Sequence, residues 1–174
     1  MRVRLILILI ALLALAAVFF WHSPYHQVRS VITVVDINAP GDRVWQVLTD
    51  LNSYHAWNPF LTSASGTIAP GSTLTIAAKI GNHNIPFHPR ITVVEPGKKL
   101  VWVDRLLSAE IYQGEHEFDV IEIDQSHTRM IQSEHCKGIL VAALWSRFSP
   151  ALLQGFHAMN DALKRRSEPV AIEH

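Results

Sequence analysis

Three polar residues in the last third of the chain, His116, Gln132 and Glu134, have side chains that can bind a polar ligand group or exchange a proton. They belong to the stretches GEHEFDV and MIQSEHC, which read as strands. Successive side chains of a strand point to opposite faces, so alternation places all three on one mostly apolar face. A histidine and a carboxylate there can act as acid and base, or can satisfy each other as buried polar groups.

The expected register of these two strands brings the polar side chains close together. A turn near Gln125-Ser126 predicts that His116 lies opposite Cys136 and Phe118 opposite Glu134. His116 and Glu134 are then diagonal neighbours within reach of long side chains.

Asp104 is a possible further member of the group, because it shares a face with Trp102 on the preceding strand. If that face points inward, Asp104 approaches His116; otherwise Asp104 faces solvent. His116 and Glu134 are the candidates for any catalytic role. The predicted ligand-binding residues are Trp102, Asp104, His116, Phe118, Gln132, Glu134 and Phe156.

Other chemistries have little support. The ten histidines show no HExxH or His-x-His spacing, and alternation puts His135 on the face opposite His116, so no metal site and no cofactor are predicted. The single cysteine excludes an internal disulfide. All 15 acidic but only 12 of the 15 basic residues follow residue 29, so a nucleic-acid partner is not expected.

The elements that must position these residues follow from hydrophobic periodicity. A strand at 31–37 and a helix opened by Pro40 precede a series of strands joined by short turns, which predicts an antiparallel meander. A long apolar-striped helix, from about Leu140 to Ser167, must cover one face of the sheet, and Pro150 should kink or split it. The expected strands of the meander are 61–68, 73–80, 85–94, 100–107, 111–123 and 128–137. The fold class is α+β.

An uncharged apolar run from Leu5 to Trp21 follows Arg2 and Arg4. As a helix it spans about 25 Å, close to the bilayer core of about 30 Å. A cleaved signal peptide is the alternative, but the apolar run continues past the possible site at 14–16. We therefore expect one transmembrane helix with a cytoplasmic amino terminus and a periplasmic or otherwise extracytoplasmic domain. The expected organisation is anchor and linker 1–29, domain 30–168 and tail 169–174.

Six stretches, in this order, resemble the SRPBCC superfamily of START-like and polyketide cyclase/dehydrase-like proteins. They are INAPGDRVWQVLTD, YHAWNPF, PFHPRITVVEPGKKLVW, GEHEFDV, QSEHCKGIL and GFHAMNDALKRR, and the resemblance covers Val31 to Glu168. The resemblance implies the helix-grip fold, a curved antiparallel sheet around a long carboxyl-terminal helix that encloses a tunnel for an apolar ligand. Similar proteins usually have a small residue at the position of Asp104, so this carboxylate is a departure from the pattern.

Three functions are compatible with these features. The first is a membrane-anchored domain that binds a lipid-like or other hydrophobic small molecule. The second is an enzyme similar to polyketide cyclases or dehydratases, in which His116 and Glu134 move protons. The third is a cell-envelope factor that binds another protein and has no ligand. Because no motif in the chain demands catalysis, we favour the first function. The apolar segment Gly138–Trp145 then suggests a gate to the tunnel that faces the membrane.

Overall fold

The computed structural model describes residues 27–169 and six residues of the amino-terminal segment, Ile6, Ile10, Ala11, Leu12, Ala14 and Leu15, which are helical and exposed. Most of the expected anchor, and most of the expected tail, lie outside the described residues. Within residues 27–169 the expected α+β fold, an antiparallel curved sheet with a long carboxyl-terminal helix, is confirmed.

The described domain contains eight strands, three α-helices and a 3₁₀ turn at Leu51–Ser53. The helices are α1 (Gly41–Thr49), α2 (Tyr54–Trp57) and α3 (Ile139–Ser167). The strands are β1 (Arg29–Ile37), β2 (Leu61–Ser65), β3 (Thr75–Ile80), β4 (His83–Phe87), β5 (Arg90–Glu95), β6 (Lys99–Leu106), β7 (Tyr112–Asp124) and β8 (His127–Lys137).

The strands form two antiparallel sheets instead of a single meander. One has the order β1-β8-β7-β6-β5 and the other the order β2-β3-β4. The expected strand at 85–94 is in fact two strands, β4 and β5, one in each sheet. The break falls at His88-Pro89, where proline has no N–H to donate to a ladder.

The register of β7 and β8 differs from the expected one. His116 lies directly opposite Glu134, and Cys136 lies opposite Gly114. The turn is where the sequence predicts it, but β7 holds one extra residue, Ile123, between the ladder positions of Glu122 and Asp124. The ladder begins with Asp124 opposite His127, one position from the expected register, and the bulge shifts it by one more, so His116 and Glu134 become direct neighbours.

The long helix α3 is continuous through Pro150, so the expected split does not occur. The missing proline N–H leaves the carbonyl of Ser146 without a helical partner, and Ser146 is exposed to solvent, which can bond that carbonyl. Among the described residues, α3 is the one helix long and apolar enough to cross a membrane by length and composition. Its carboxyl-terminal half is buried in the domain core through Phe156, Met159 and Leu163.

One close contact fixes α3 against the start of β2. A Cβ atom added to Gly155 would lie 2.3 Å from the ring of Phe60, which is itself 4% exposed and packs edge-on against Phe156. The ring cannot easily move away, so glycine is required by the close approach.

We therefore expect Gly155→Ala to destabilise the domain, although alanine at an exposed helical position stabilises by about 0.5–1 kcal/mol relative to glycine. Overpacking of a full core costs about 1–3 kcal/mol. Urea denaturation followed by circular dichroism measures the change. The exposed neighbour Gln154→Ala is the control and should shift stability by no more than about 0.5 kcal/mol. A stabilised Gly155→Ala protein would contradict this account of the contact.

Candidate ligand-binding site

A cavity of about 370 Å³ lies between the two sheets and the amino-terminal half of α3. Its walls are mainly apolar. The apolar lining residues are Phe60, Leu61, Ala78, Ile80, Ile85, Pro86, Phe87, Trp102, Leu106, Leu140, Leu144, Phe148 and Leu152. The polar lining residues are Asp104, Tyr112, His116 and Glu134, which we call the polar cluster.

Sheet register explains why the polar cluster forms. His116 lies between Trp102 on β6 and Glu134 on β8. Two residues after Trp102 on β6, Asp104 lies opposite Gly114. Because side chains two residues apart on a strand share a face, Asp104 is on the same inner face as Trp102. The two carboxylates and the imidazole thus come from three neighbouring strands and face one side of the cavity.

Both ring nitrogens of His116 have protein partners. Nδ1 lies 2.8 Å from Oε2 of Glu134, and Nε2 lies 3.0 Å from the amide nitrogen of Gln132. With the Gln132 amide in this orientation, its N–H donates to Nε2, and Nδ1 donates to Glu134. His116 and Glu134 are 5% and 8% exposed, so this hydrogen bond is well shielded from water.

Aromatic rings hold the imidazole in place. The His116 ring centroid lies 5.0 Å from that of Trp102, 4.5 Å from that of Phe118 and 4.9 Å from that of Phe156. Such packing leaves the ring little freedom to rotate, and so fixes which oxygen of Glu134 it contacts.

The second carboxylate oxygen, Oε1 of Glu134, lies in the space above Gly114. A Cβ atom at Gly114 would lie 2.3 Å from Oε1 and 2.6 Å from the hydroxyl of Tyr112. Because glycine has no side chain, two polar atoms converge on this space from adjacent strands.

Burial perturbs the ionisation of the cluster. It raises the pKa of Asp104, and the nearby charge of Glu134 raises it further, while backbone hydrogen bonds at Arg105 and His88 act in the opposite direction. Burial also raises the pKa of Tyr112, with a smaller contribution from Glu134, so the phenol stays protonated. The same two causes raise the pKa of the Cys136 thiol.

The structure divides the predicted ligand-binding residues into two groups. Trp102, Asp104, His116 and Glu134 line the cavity. Phe118, Gln132 and Phe156 are fully buried behind its wall, where they contact His116. Ligand contact by any of the seven stays a prediction.

Sequence reasoning missed two members of the site, Tyr112 and Gly114. Alternation from His116 places both on the inner face, so the signal was available. The cavity-lining residues of β4 could not be found in this way, because β4 belongs to the second sheet.

His135 lies on the outer face, as expected, with its Nδ1 2.7 Å from the Ser30 hydroxyl. Among the described residues, no group of three or more His, Cys, Asp or Glu side chains is arranged to hold a metal ion.

Comparison with known proteins identifies a family. Residues 28–168 match the family model described as polyketide cyclase / dehydrase and lipid transport. No curated protein matches the chain significantly.

Solved structures share the fold at low sequence identity. An aromatase/cyclase from Streptomyces is 16% identical, with a TM-score of 0.61 over 83% of this chain and 99% of that chain. A START superfamily protein from Mycobacterium smegmatis is 14% identical, with a TM-score of 0.56 over 77% and 98%. A hypothetical protein from Helicobacter pylori is 16% identical, with a TM-score of 0.66 over 84% and 91%.

The raised pKa of Asp104 predicts a pH-dependent cost to folding. The folded state holds the proton of the Asp104 carboxyl more tightly than the unfolded state, in which this carboxyl has its ordinary pKa of 3.8. The stabilisation that comes from this tighter proton binding is fully present below pH 3.8, and it is lost as the pH rises through the pKa of Asp104 in the folded state. We expect Asp104→Asn to be more stable than the wild type at neutral pH, with a difference that shrinks as the pH falls towards 3.8.

Urea denaturation across this pH range measures the difference. Asp161→Asn, at an exposed position on α3, controls for the loss of one negative charge. A less stable Asp104→Asn protein at neutral pH would show that the carboxylate is favourable in the fold.

Proposed function

The chain belongs to the polyketide cyclase / dehydrase and lipid transport family, and we propose that it is a membrane-anchored protein that binds a lipid-like or other apolar small molecule in its cavity. The observation that carries this proposal is the cavity itself, about 370 Å³ with apolar walls and a polar cluster on one side. Small-molecule sites have this range of volume and this kind of lining.

The walls supply the driving force for binding. Aliphatic and aromatic side chains from both sheets and from α3 surround the cavity. Transfer of apolar ligand surface from water into such a site contributes about 25 cal/mol per Å². The polar cluster adds orientation, because a buried hydrogen-bonding group disfavours a ligand that leaves it unpaired.

The arrangement of His116 favours binding over acid–base catalysis. A cyclase or dehydratase of the kind considered above requires a ring nitrogen that reaches the substrate. Nδ1 is bonded to Glu134 and Nε2 to Gln132, and the ring is enclosed by aromatic side chains. Of the pair, Oε1 of Glu134 is the atom that takes no part in these two hydrogen bonds, and it lies over Gly114 beside the Tyr112 hydroxyl.

Membrane attachment by the amino-terminal segment is part of the proposal. The run from Leu5 to Trp21 has the length and composition of a bilayer span. Its described residues support this, since Ile6, Ile10, Leu12 and Leu15 are helical and 56%, 57%, 58% and 65% exposed. A helix with apolar side chains exposed in this way is stable in lipid. Arg2 and Arg4 favour a cytoplasmic amino terminus and an extracytoplasmic domain.

Native mass spectrometry of the full chain, extracted from membranes in mild detergent, tests the proposal. We expect an intact chain that retains residues 1–29 and carries an apolar small molecule. Ala78→Phe, which adds a ring to a lining position on β3, should lose most of that molecule because the ring occupies the cavity.

Val34→Phe is the matched control, because Val34 is 54% exposed and does not line the cavity. It should retain the molecule. A natively extracted protein with no bound small molecule would support the alternative, a protein-interaction factor without a ligand. Turnover of the bound compound, abolished in His116→Ala, would support the enzyme.

A further inference from the structure

The charge of the cavity lining restricts the kind of ligand that fits the proposed function. Two carboxylates, Asp104 and Glu134, line the cavity, and no lysine or arginine of residues 27–169 does so. Both ring nitrogens of His116 are taken up by Glu134 and Gln132, so neither is presented to the cavity. The acidic groups on the polar side of the cavity therefore face no lysine or arginine among the described residues.

Glu134 also has unused hydrogen-bonding capacity. Its residue is 8% exposed, and Oε2 is occupied by His116. Within residues 27–169, the one hydrogen bond to Oε1 comes from the weakly donating thiol of Cys136 at 3.9 Å. A buried carboxylate oxygen without a strong donor is costly. Oε1 and the Tyr112 hydroxyl fill the space above Gly114, and both residues line the cavity, so a ligand group in the cavity can reach them.

We propose that the ligand has an apolar body and one hydrogen-bond-donating end, an amine or a hydroxyl, which lies at the polar side of the cavity and donates to Glu134 and Asp104. A ligand with a carboxylate end is excluded by repulsion, which is strong in a cavity that contains little water. This inference rests on the proposed function and assigns a substrate class to the same site.

Three probes that share one aromatic body and differ at one end test the inference: 1-naphthylmethylamine, 1-naphthalenemethanol and 1-naphthoate. Calorimetry on the full chain in detergent measures their affinities at neutral pH. We expect the amine and the alcohol to bind at least about tenfold more tightly than the carboxylate. Asp104→Asn and Glu134→Gln should each reduce the preference of the amine over the carboxylate.

Asp161→Asn, exposed and remote from the cavity, should leave the preference unchanged. Equal affinity for the three probes, or tighter binding of the carboxylate, would overturn the inference and leave the cavity-binding proposal intact. Failure of all three probes to bind would count against the proposed function as well. Circular dichroism of each variant separates loss of binding from loss of fold.

Exposed apolar side chains lie at the mouth of the cavity or next to its lining residues in the chain. We call five of them the apolar rim: Ile85, Leu106, Leu107, Ile139 and Leu144, which are 45%, 51%, 87%, 42% and 45% exposed. Three of them, Ile85, Leu106 and Leu144, also line the cavity, so the rim and the interior are continuous.

Leu107 has a conformation that local preference does not explain. Its φ is 64°, in the left-handed region that a leucine rarely adopts, and among residues 27–169 it is the one non-glycine residue with a positive φ. The strain holds an apolar side chain out into solvent beside the cavity. Such strained positions concentrate at functional sites.

The path of the chain places the rim next to the expected anchor. Arg29, the first residue of β1, lies opposite Cys136, which lies opposite Gly114. The turn after Leu106 is at the same end of the strands, since Leu106 pairs with Tyr112 at the start of β7. The linker from residue 22 to residue 28 can span at most roughly 25 Å. The expected anchor therefore joins the domain at the same end of the strands as the apolar rim.

We propose that the apolar rim rests on the lipid bilayer, so that the cavity exchanges its ligand with the membrane directly. Exposed apolar side chains also occur at the other end of β7, for example Ile123 at 54%, but they neither border the cavity nor lie at the anchored end of the strands. The inference adds an orientation to the proposed membrane attachment.

Depth-dependent fluorescence quenching tests this orientation. The full chain, with an environment-sensitive fluorophore at Leu107→Cys or at Gln125→Cys, is reconstituted into phosphatidylcholine vesicles that contain nitroxide-labelled lipid. Gln125 is exposed in the turn at the opposite end of the sheet. Cys136 is fully buried, and burial raises its pKa, so it should stay unlabelled.

We expect strong quenching at position 107 and little at position 125. Equal quenching at both positions in vesicles that float with the protein would overturn the orientation and leave the anchor intact. Protein that does not float with the vesicles would overturn both the orientation and the anchor.

Discussion

The packing of one half of a single helix is the contact on which the rest of this domain depends. The carboxyl-terminal half of α3 packs on β1 and β8 with Phe156, Met159 and Leu163, and Asn160 donates to Thr33 at 2.8 Å. The amino-terminal half faces the second sheet across the cavity, which it lines with Leu140, Leu144, Phe148 and Leu152. The cavity is the space that this half of the helix leaves open.

The pair of His116 and Glu134 is stable in this interior because each member is held by a neighbour. Glu134 would be costly alone in this interior, but it accepts a hydrogen bond from His116, which is in turn fixed by Gln132 and by aromatic rings. The network is incomplete, since Oε1 of Gln132 has no partner among the described atoms and Oε1 of Glu134 contacts only a thiol. A core selected for stability alone would replace such groups with apolar ones.

Much of the fold could be predicted because its signals are local. Alternation placed His116, Gln132 and Glu134 on an inward face and His135 on the outer face, and the structure agrees. The same rule would have added Tyr112 and Gly114. The register could not be predicted, because the turn pairs Asp124 with His127 and a one-residue bulge at Ile123 shifts the ladder once more, without any distinctive sequence signal. The separation of β4 from β5 was also missed, although Pro89 marks the break.

By itself, the sequence determined the order of the elements, the apolar stripe of the long helix and the faces to which the polar side chains point. These properties depend on periodicity along a short stretch of chain. Only the tertiary structure decided that His116 faces Glu134 directly, that Gln132 occupies the second imidazole nitrogen, and that Asp104 and Glu134 share a cavity without a cation. Those features join residues from different strands and from two sheets, and their distances depend on how the whole domain packs.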